Sequence, residues 1–370
     1  MKLSPHHNSV SVFTTSTGHE SISTAVVDAL KAQKHATHHN FLQLAMNKLY
    51  GGIYLFFPQL FKLPYSLGEI KRTQRIIRQY LGKKVDTEIE AFLDAQKPAV
   101  VISCWFLANY VIEQEQQKHG YSFINIVSDP RTIHSIIPTR EGVNFVFDET
   151  AKDILIAQGV PPKKIVVSGW FVREAYEHDY NQEMVKKSLG LDPNNLTLLL
   201  SSGSFGTNYV LKVLPTLLTA RKPCTIVVAC GQNKRLYALV KKIISVRQKI
   251  NHSAVNIKPI GYTTKLHEYM QAADLVIGKA GPNTLFESIA TSTPFFAITH
   301  IAGQEDGNLE IIKDYGVGYV EENPFAAGKL LKKIIENPQE LARFNEPIAK
   351  LRSHNLQAKP LLLKTLQKRI

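Results

Sequence analysis

The stretch "GKAGPNTLFESIATSTPFFAITHIAGQEDGN", Gly278 to Asn308, decides how the chain is read. It opens on a Gly-Pro turn and runs into a short apolar helix that carries one acid, Glu287. A Thr-Pro break leads to the apolar run "FFAIT", and the stretch ends on the polar "GQEDGN". With "LVI" just upstream, the order is strand, small-residue turn, helix, strand, which predicts a βαβ unit and hence a parallel sheet. If Pro282 is the first helical residue, the amides of Asn283 and Thr284 point out of the helix N-terminus, beside Lys279 and Gly281. Small residues and a positive dipole end suit a diphosphate. Glu287, one turn along, suits the vicinal hydroxyls of a ribose. Gln304, Glu305, Asp306 and Asn308 offer polar groups to further hydroxyls. An ordinary helix with a surface acid, followed by a turn-rich loop, is the plainer reading of the same residues.

The alternation continues outward. "LTLLLSSGSFGTN" (196–208), "CTIVVACGQN" (224–233) and "VNIKPIGYT" (255–263) are apolar runs that end in polar loops, each followed by a helical pattern. Upstream lie "AVVISC" (99–104), "FINIVS" (123–128), "VNFVF" (143–147), "IVVS" (165–168) and a short run at 10–13. A helix is expected over 20–33. The polar, charged stretch 174–195 separates the two sets and reads as a linker and the entry to a second domain. The pattern predicts an α/β chain of two Rossmann-like domains facing across a cleft, 1–173 and 174–340, followed by a basic, amphipathic helical tail, 341–370. Ligands bind beyond the carboxyl ends of such strands. "SSGSFGTN" there carries Ser204 and Phe205, and "TSTGHE" (15–20) carries Gly18 and His19. Each loop can receive an oxyanion, and each also fits a plain βα turn. His19 is a candidate base or phosphate ligand, or a structural histidine.

The chain has 370 residues and a net charge of +13, from 44 Lys+Arg against 31 Asp+Glu. That balance points to an anionic partner: nucleic acid, anionic lipid or a phosphorylated ligand. No zinc or RNA-recognition motif supports nucleic acid. Cys104, Cys224 and Cys230 are too scattered for a disulfide framework or a zinc site and suit a reducing cytosol. Residues 1–20 have no apolar signal core, and no run approaches the roughly 20 apolar residues needed to cross a bilayer. Segment 41–65, "FLQLAMNKLYGGIYLFFPQLFKLPY", is rich in Phe, Leu and Tyr. Lys71, Arg72, Arg75, Arg78, Lys83 and Lys84 follow it. The pair reads either as a buried helical hairpin beside a solvated face or as an interfacial element on anionic lipid.

Taken in order, "STGHESISTAVVDAL", "IVSDPRTIH", "GWFVREAY", "LLLSSGSFGTN", "ACGQNKRL", "IGYTTKLHEYM", "AADLVIGKAGPNT" and "KAGPNTLFES…GQEDGN" cover nearly the whole chain. In this series the sequence resembles the glycosyltransferases that include plant monogalactosyldiacylglycerol synthase and bacterial diacylglycerol glucosyltransferase. More distantly it is similar to the GlcNAc transferase that makes the peptidoglycan lipid intermediate. The resemblance implies a GT-B fold whose last helices cross back to the first domain. It implies inverting transfer of a hexose from a UDP-sugar to a lipid hydroxyl, diacylglycerol above all, with no metal or cofactor. Carried over by position, Glu287 binds the ribose and Gln304 and Glu305 the sugar. Gly261 and Tyr262 line the base pocket, and Ser204 and Phe205 lie near the nucleotide. Lys279, Gly281, Pro282, Asn283, Thr284 and Asn308 complete the donor side.

By the same resemblance, Asp129, His19, Gly18 and His134 are expected to line the acceptor side. An acid just beyond an apolar strand is open to desolvation, which raises its pKa toward that of a useful base. Asp129 is therefore expected to be the base with His19 as its partner, the plainer role for Asp129 being a helix or turn cap. Arg72, Arg75 and Arg78 are expected on lipid headgroups. The chain is expected to be cytoplasmic, peripheral on the inner face of the cell membrane, with no nucleic acid as partner. Two other readings share the architecture: a UDP-sugar epimerase, and a degenerate protein that binds UDP-sugar without turnover.

Overall fold

Every apolar run named above is a strand in the computed structural model, which describes residues 9–15, 18–30, 36–40, 83–203, 206–250 and 254–368. Arg72, Arg75, Arg78, Ser204 and Phe205 lie outside the described residues. The first sheet contains β1 (Val10–Thr14), β2 (Ala36–Asn40), β3 (Val100–Ser103), β4 (Ser122–Ile126), β5 (Val143–Val146) and β6 (Ile165–Val167). Their order is β2-β1-β3-β4-β5-β6, with every pair parallel. The chain reverses its direction of travel between β1 and β3, so the crevice of this sheet opens at their carboxyl ends.

The second sheet contains β7 (Leu196–Ser201), β8 (Cys224–Ala229), β9 (Val255–Ile260), β10 (Leu275–Lys279), β11 (Phe295–Thr299) and β12 (Gly318–Val320). The order is β12-β11-β10-β7-β8-β9, again parallel throughout. Here the reversal lies between β7 and β10. Central strands such as β8 and β11 are buried along their whole length, as parallel strands covered on both faces must be.

The chain divides into two compact units, Met1–Glu174 with Ala302–Gly307 and Ser353–Ile370, and Ala175–Ile301 with Asn308–Arg352. The tail expected over 341–370 therefore returns to the first unit only from Ser353; residues 341–352, with most of the Asn345–Asn355 helix, stay with the second. The Ala358–Gln367 helix packs on the Gly18–Leu30 helix. The Trp170 amide donates to Asn355 Oδ1 at 2.9 Å. Gly169 has φ +81°, and a Cβ there would lie 2.6 Å from the His354 carbonyl oxygen. The glycine of "GWFVREAY" is thus a docking point for the tail.

Three local readings change. β2 and β12 carry no strand signal in the sequence because neither is an apolar run: β2 reads ATHHN, and β12 is three residues, GYV, half-buried along their length. The helix expected over 20–33 begins at Gly18. The stretch 174–195 is more than a linker: it holds the helices Glu174–Glu177 and Gln182–Ser188. Asn181 caps the second through the Met184 amide, and Lys186 is buried against Asp274 at 2.9 Å. Its polar composition reflects a cap and a buried ion pair. Among the described residues, no helix is long and apolar enough to cross a membrane.

Candidate functional site

In the second unit, β7 and β10 run side by side with Gly278 opposite Ser201. A Cβ on Gly278 would lie 2.8 Å from the Ser201 carbonyl oxygen, so glycine lets the strand ends approach. On its other side, against β11, the register of β10 shifts between Gly278 and Lys279. The Gly281 amide donates to the Lys279 carbonyl at 2.7 Å and the Ala280 amide to Thr299 at 2.8 Å, which sets a tight turn. Gly281 is the extended N-cap of the Pro282–Ala290 helix and contributes no side-chain cap. The first intrahelical bond is Leu285 N–H to Gly281 C=O, 3.0 Å. Pro282 has no N–H, and an α-helix does not use its first amides in its own hydrogen-bond ladder. Glu287 rides the same helix and is only 6% exposed. Asn308 Nδ2 donates to the Ala280 carbonyl at 2.7 Å and fixes the turn from the other side.

The loop after β7 flanks this turn. Gly206 has φ +70°, and a Cβ there would sit 2.0 Å from the Cys230 carbonyl oxygen. Asn233 Nδ2 donates to the Gly206 carbonyl at 2.6 Å, and Asn233 Oδ1 caps the next helix through the Leu236 amide. The structure therefore gathers Lys279, Gly281, Pro282, Asn283, Thr284, Glu287 and Asn308 around the end of β10. Gly261 and Tyr262 follow the edge strand β9, and Tyr262 is 65% exposed. One pair escaped the sequence reading: His300 Nδ1 lies 2.8 Å from Glu322 Oε1, beyond the ends of β11 and β12. A histidine one residue past an apolar strand was the available signal. Its acid partner follows β12, a strand without a signal of its own.

In the first unit, His19 follows Gly18 at the start of the helix after β1. Its Nδ1 lies 2.9 Å from the carbonyl oxygen of Cys104, the residue after β3. That bond spans the sheet reversal. A carbonyl can only accept, so Nδ1 carries the hydrogen and Nε2 presents its lone pair. Burial pulls the His19 pKa down to about 4, against a smaller opposing effect of the Cys104 bond, so the ring is neutral at ordinary pH. Burial also pushes the neighbouring Cys104 thiol far up, which keeps it an inert core group.

Asp129 follows β4, at the head of a loop that reaches β5 without a helix. A buried amide ladder pins this loop: Asn109 to Asn125 at 3.0 Å, Asn125 to Asn144 at 2.9 Å, and Asn144 to the Thr139 carbonyl at 2.8 Å. Arg131 donates twice to Asp148 Oδ2, at 3.0 and 2.9 Å, in a buried pair. Asp148 Oδ1 also caps the Glu149–Ala157 helix through the Ala151 amide. The backbone carbonyl of His134 accepts from Ile137 in the same loop.

The "GQEDGN" loop belongs largely to this neighbourhood, because Ala302–Gly307 groups with the first unit. The Gly307 amide donates to Thr132 Oγ1 at 3.0 Å, and a Cβ on Gly307 would meet Arg131 Cβ at 2.7 Å. Glu305 is 4% exposed. Burial and the Glu305 charge push the Asp129 pKa up to about 7, with a smaller opposing effect from Ser128. Gln304 and Glu305 thus sit in the first unit beside the Asp129 loop, and Asn308 sits in the second.

Among the described residues, Asp94, Glu115 and His119 have metal-ligand spacing. The Lys118 ammonium already pairs with both acids, at 2.8 and 3.2 Å. The group lies at the last turns of helices that lead into β3 and β4, the opposite end of the sheet from His19 and Asp129.

Residues 8–172 match the monogalactosyldiacylglycerol (MGDG) synthase family, and residues 197–359 match the glycosyltransferase family 28 C-terminal domain. Between them these two glycosyltransferase models take in most of the chain, one in each half. A processive diacylglycerol beta-glucosyltransferase of Staphylococcus carnosus (strain TM300) is 25% identical over 258 residues, 70% of this chain and 64% of the relative. Monogalactosyldiacylglycerol synthase 2, chloroplastic, of Arabidopsis thaliana is 29% identical over 261 residues, 66% of this chain and 53% of the relative. The chain thus spans about half to two thirds of the length of these relatives. Anabaena Alr3699/HepE, solved in complex with UDP-glucose, superimposes with a TM-score of 0.59 at 13% identity, covering 98% of this chain and 100% of that one. At that identity the likeness is one of fold, and the fold is GT-B.

Proposed function

We propose that the protein transfers a hexose from a UDP-sugar to the hydroxyl of diacylglycerol, with inversion and without a metal, at an anionic membrane surface. The observation that carries this reading is the Gly281-Pro282 start of the Pro282–Ala290 helix at the β7/β10 reversal, with buried Glu287 one turn inside. In this reading the second domain, 174–340, holds the nucleotide. The amides of Asn283 and Thr284 take the diphosphate, Glu287 the ribose hydroxyls, and Gly261 and Tyr262 the base, with Lys279 and Asn308 beside the turn. The first domain, 1–173, with the tail 341–370, handles the acceptor. The names of the two relatives, a diacylglycerol glucosyltransferase and a monogalactosyldiacylglycerol synthase, favour diacylglycerol, and the UDP-glucose in the Anabaena structure favours that donor class.

The chemistry is a single displacement. The lipid oxygen bonds to the anomeric carbon as the bond from that carbon to the diphosphate oxygen breaks, and UDP leaves with the electron pair. Asp129 accepts the hydroxyl proton, since a pKa about 7 matches a base to neutral pH. His19, neutral with its Nε2 lone pair outward, orients the acceptor side, and Gln304 and Glu305 bind sugar hydroxyls. Helix amides and dipole take the charge that a metal would otherwise neutralise. The segment 41–84, with Arg72, Arg75 and Arg78, supplies lipid contact on the inner face of the cell membrane.

The test is incubation with phosphatidylglycerol liposomes containing diacylglycerol and radiolabelled UDP-glucose, UDP-galactose or UDP-GlcNAc, followed by lipid chromatography. Label in a glycosyldiacylglycerol is expected. Epimerised free UDP-sugar, or UDP-sugar bound without product, would overturn the reading in favour of the epimerase or of a binding protein.

A further inference from the structure

The helix Lys234–Ile250 joins β8 to β9, and its sequence, "KRLYALVKKIISVRQKI", has six Lys and Arg and no Asp or Glu. Leu236 and Val240 are buried and hold it to the sheet. On the other side Lys234, Arg235, Lys241 and Lys242 are exposed, and beside them Leu239 and Val246 are 42% and 47% exposed. At 100° per residue these six positions form one continuous arc of about 160°. Among the described residues none of the four cations has an ion-pair partner; Lys241 rests over the Tyr237 ring at 5.7 Å.

A face kept only for solubility mixes both signs of charge. This one has a single sign and is edged by two exposed branched aliphatics. Phosphates of a nucleic acid would satisfy the cations and leave Leu239 and Val246 in water. The boundary of an anionic bilayer satisfies both, with cations among headgroups and aliphatics at the acyl margin. We propose that the Lys234–Ile250 helix is a membrane-contacting surface of the second unit that lies flat on anionic lipid. The choice of lipid rests on the transferase reading above; none of these six residues is among those placed at the donor or acceptor site.

The experiment uses the full chain with vesicles of phosphatidylcholine alone and of phosphatidylcholine with phosphatidylglycerol. Cosedimentation is measured for wild type, for Lys234→Glu/Arg235→Glu/Lys241→Glu/Lys242→Glu, and for Leu239→Ser/Val246→Ser. UDP titration calorimetry confirms that each variant is folded. Each surface cation contributes about fivefold to binding of anionic vesicles, so charge reversal should weaken it by at least tenfold. The aliphatic variant should weaken it severalfold, and UDP affinity should not change. Sugar transfer to diacylglycerol dispersed in neutral detergent should be retained by both variants. Wild-type binding that is absent, or unchanged in the four-fold variant, overturns the proposal. So does binding to a random RNA that displaces the vesicles. Failure of transfer in detergent by the wild type would instead sink the transferase reading and leave the vesicle result standing.

Discussion

The turn after β10 and the loop after β4 stand in the same place in their two sheets, just beyond the carboxyl end of a parallel strand next to others. They are built from different materials. After β10 the working parts are backbone: Gly278, Gly281 and Pro282 shape a turn, and neutral amides face outward from a helix start. After β4 the working parts are ionisable side chains in a buried setting: Asp129 beside Glu305, and the pair Arg131–Asp148. Under the proposed function this contrast separates a site for a substrate group of constant charge from a site for a moving proton. Backbone amides have the same charge at any pH, and a desolvated carboxylate does not.

The hardest test of this contrast is Arg131→Ala. It would leave Asp148 buried without its cation, and loss of one partner of a buried pair costs about 3–5 kcal/mol. A clear drop in the urea midpoint of the first unit is expected. A midpoint unchanged from wild type would mean that the acceptor-side loop does not depend on buried charge.

Next in size is Asp129→Asn, which should lower kcat by about 10²-fold or more with UDP affinity held. The sign of the pH effect follows from the raised pKa. The base form of Asp129 accumulates as pH rises through about 7, so wild-type kcat/KM should climb through that value and level off. The same shift makes folding stability fall between the ordinary carboxylate pKa and about 7, and the Asn variant should escape that loss. A variant with near wild-type turnover would move the base to His19. His19→Ala should likewise cut kcat and spare UDP binding.

Glu287→Ala comes third, with UDP binding weakened by about 1.5–3 kcal/mol for a charge-assisted hydrogen bond. Equal calorimetric affinity in wild type and variant would remove the ribose assignment. Asn308→Ala removes a neutral bond to the Ala280 carbonyl and should cost the second unit only about 0.5–1.5 kcal/mol. If it costs as much as Arg131→Ala, the distinction between a backbone-built and a charge-built edge fails. The smallest expected effect is none: turnover should survive EDTA. Loss restored by Mn²⁺ or Mg²⁺ would show that helix amides alone do not hold the diphosphate.

How much of this was legible depends on range. The apolar runs, the Gly-Pro turn and the lone acid at Glu287 are local facts. Burial of a strand on both faces demands consecutive Val, Ile, Leu and Phe, and that demand is visible in any ten residues. β2 (ATHHN) and β12 (GYV) were silent because neither offers a run of consecutive apolar residues. The stretch 174–195, read as a linker and the entry to a second domain, does open the second unit, but its two helices stayed hidden because a cap at Asn181 and a buried lysine look like surface until the partners are seen.

By itself the sequence determined the order of strands and helices, the two-sheet architecture and the shape of the β10 turn. Each follows from residues adjacent in the chain, through apolar periodicity, the fixed φ of proline and the missing Cβ of glycine. Only the tertiary structure decided which protons the candidate catalytic groups hold. His19 owes its tautomer to a carbonyl 85 residues away, and Asp129 owes part of its raised pKa to Glu305. The same holds for the grouping of Ala302–Gly307 and Ser353–Ile370 with the first unit. Desolvation and Coulomb interaction depend on distance in space, which neither residue type nor spacing in the chain records.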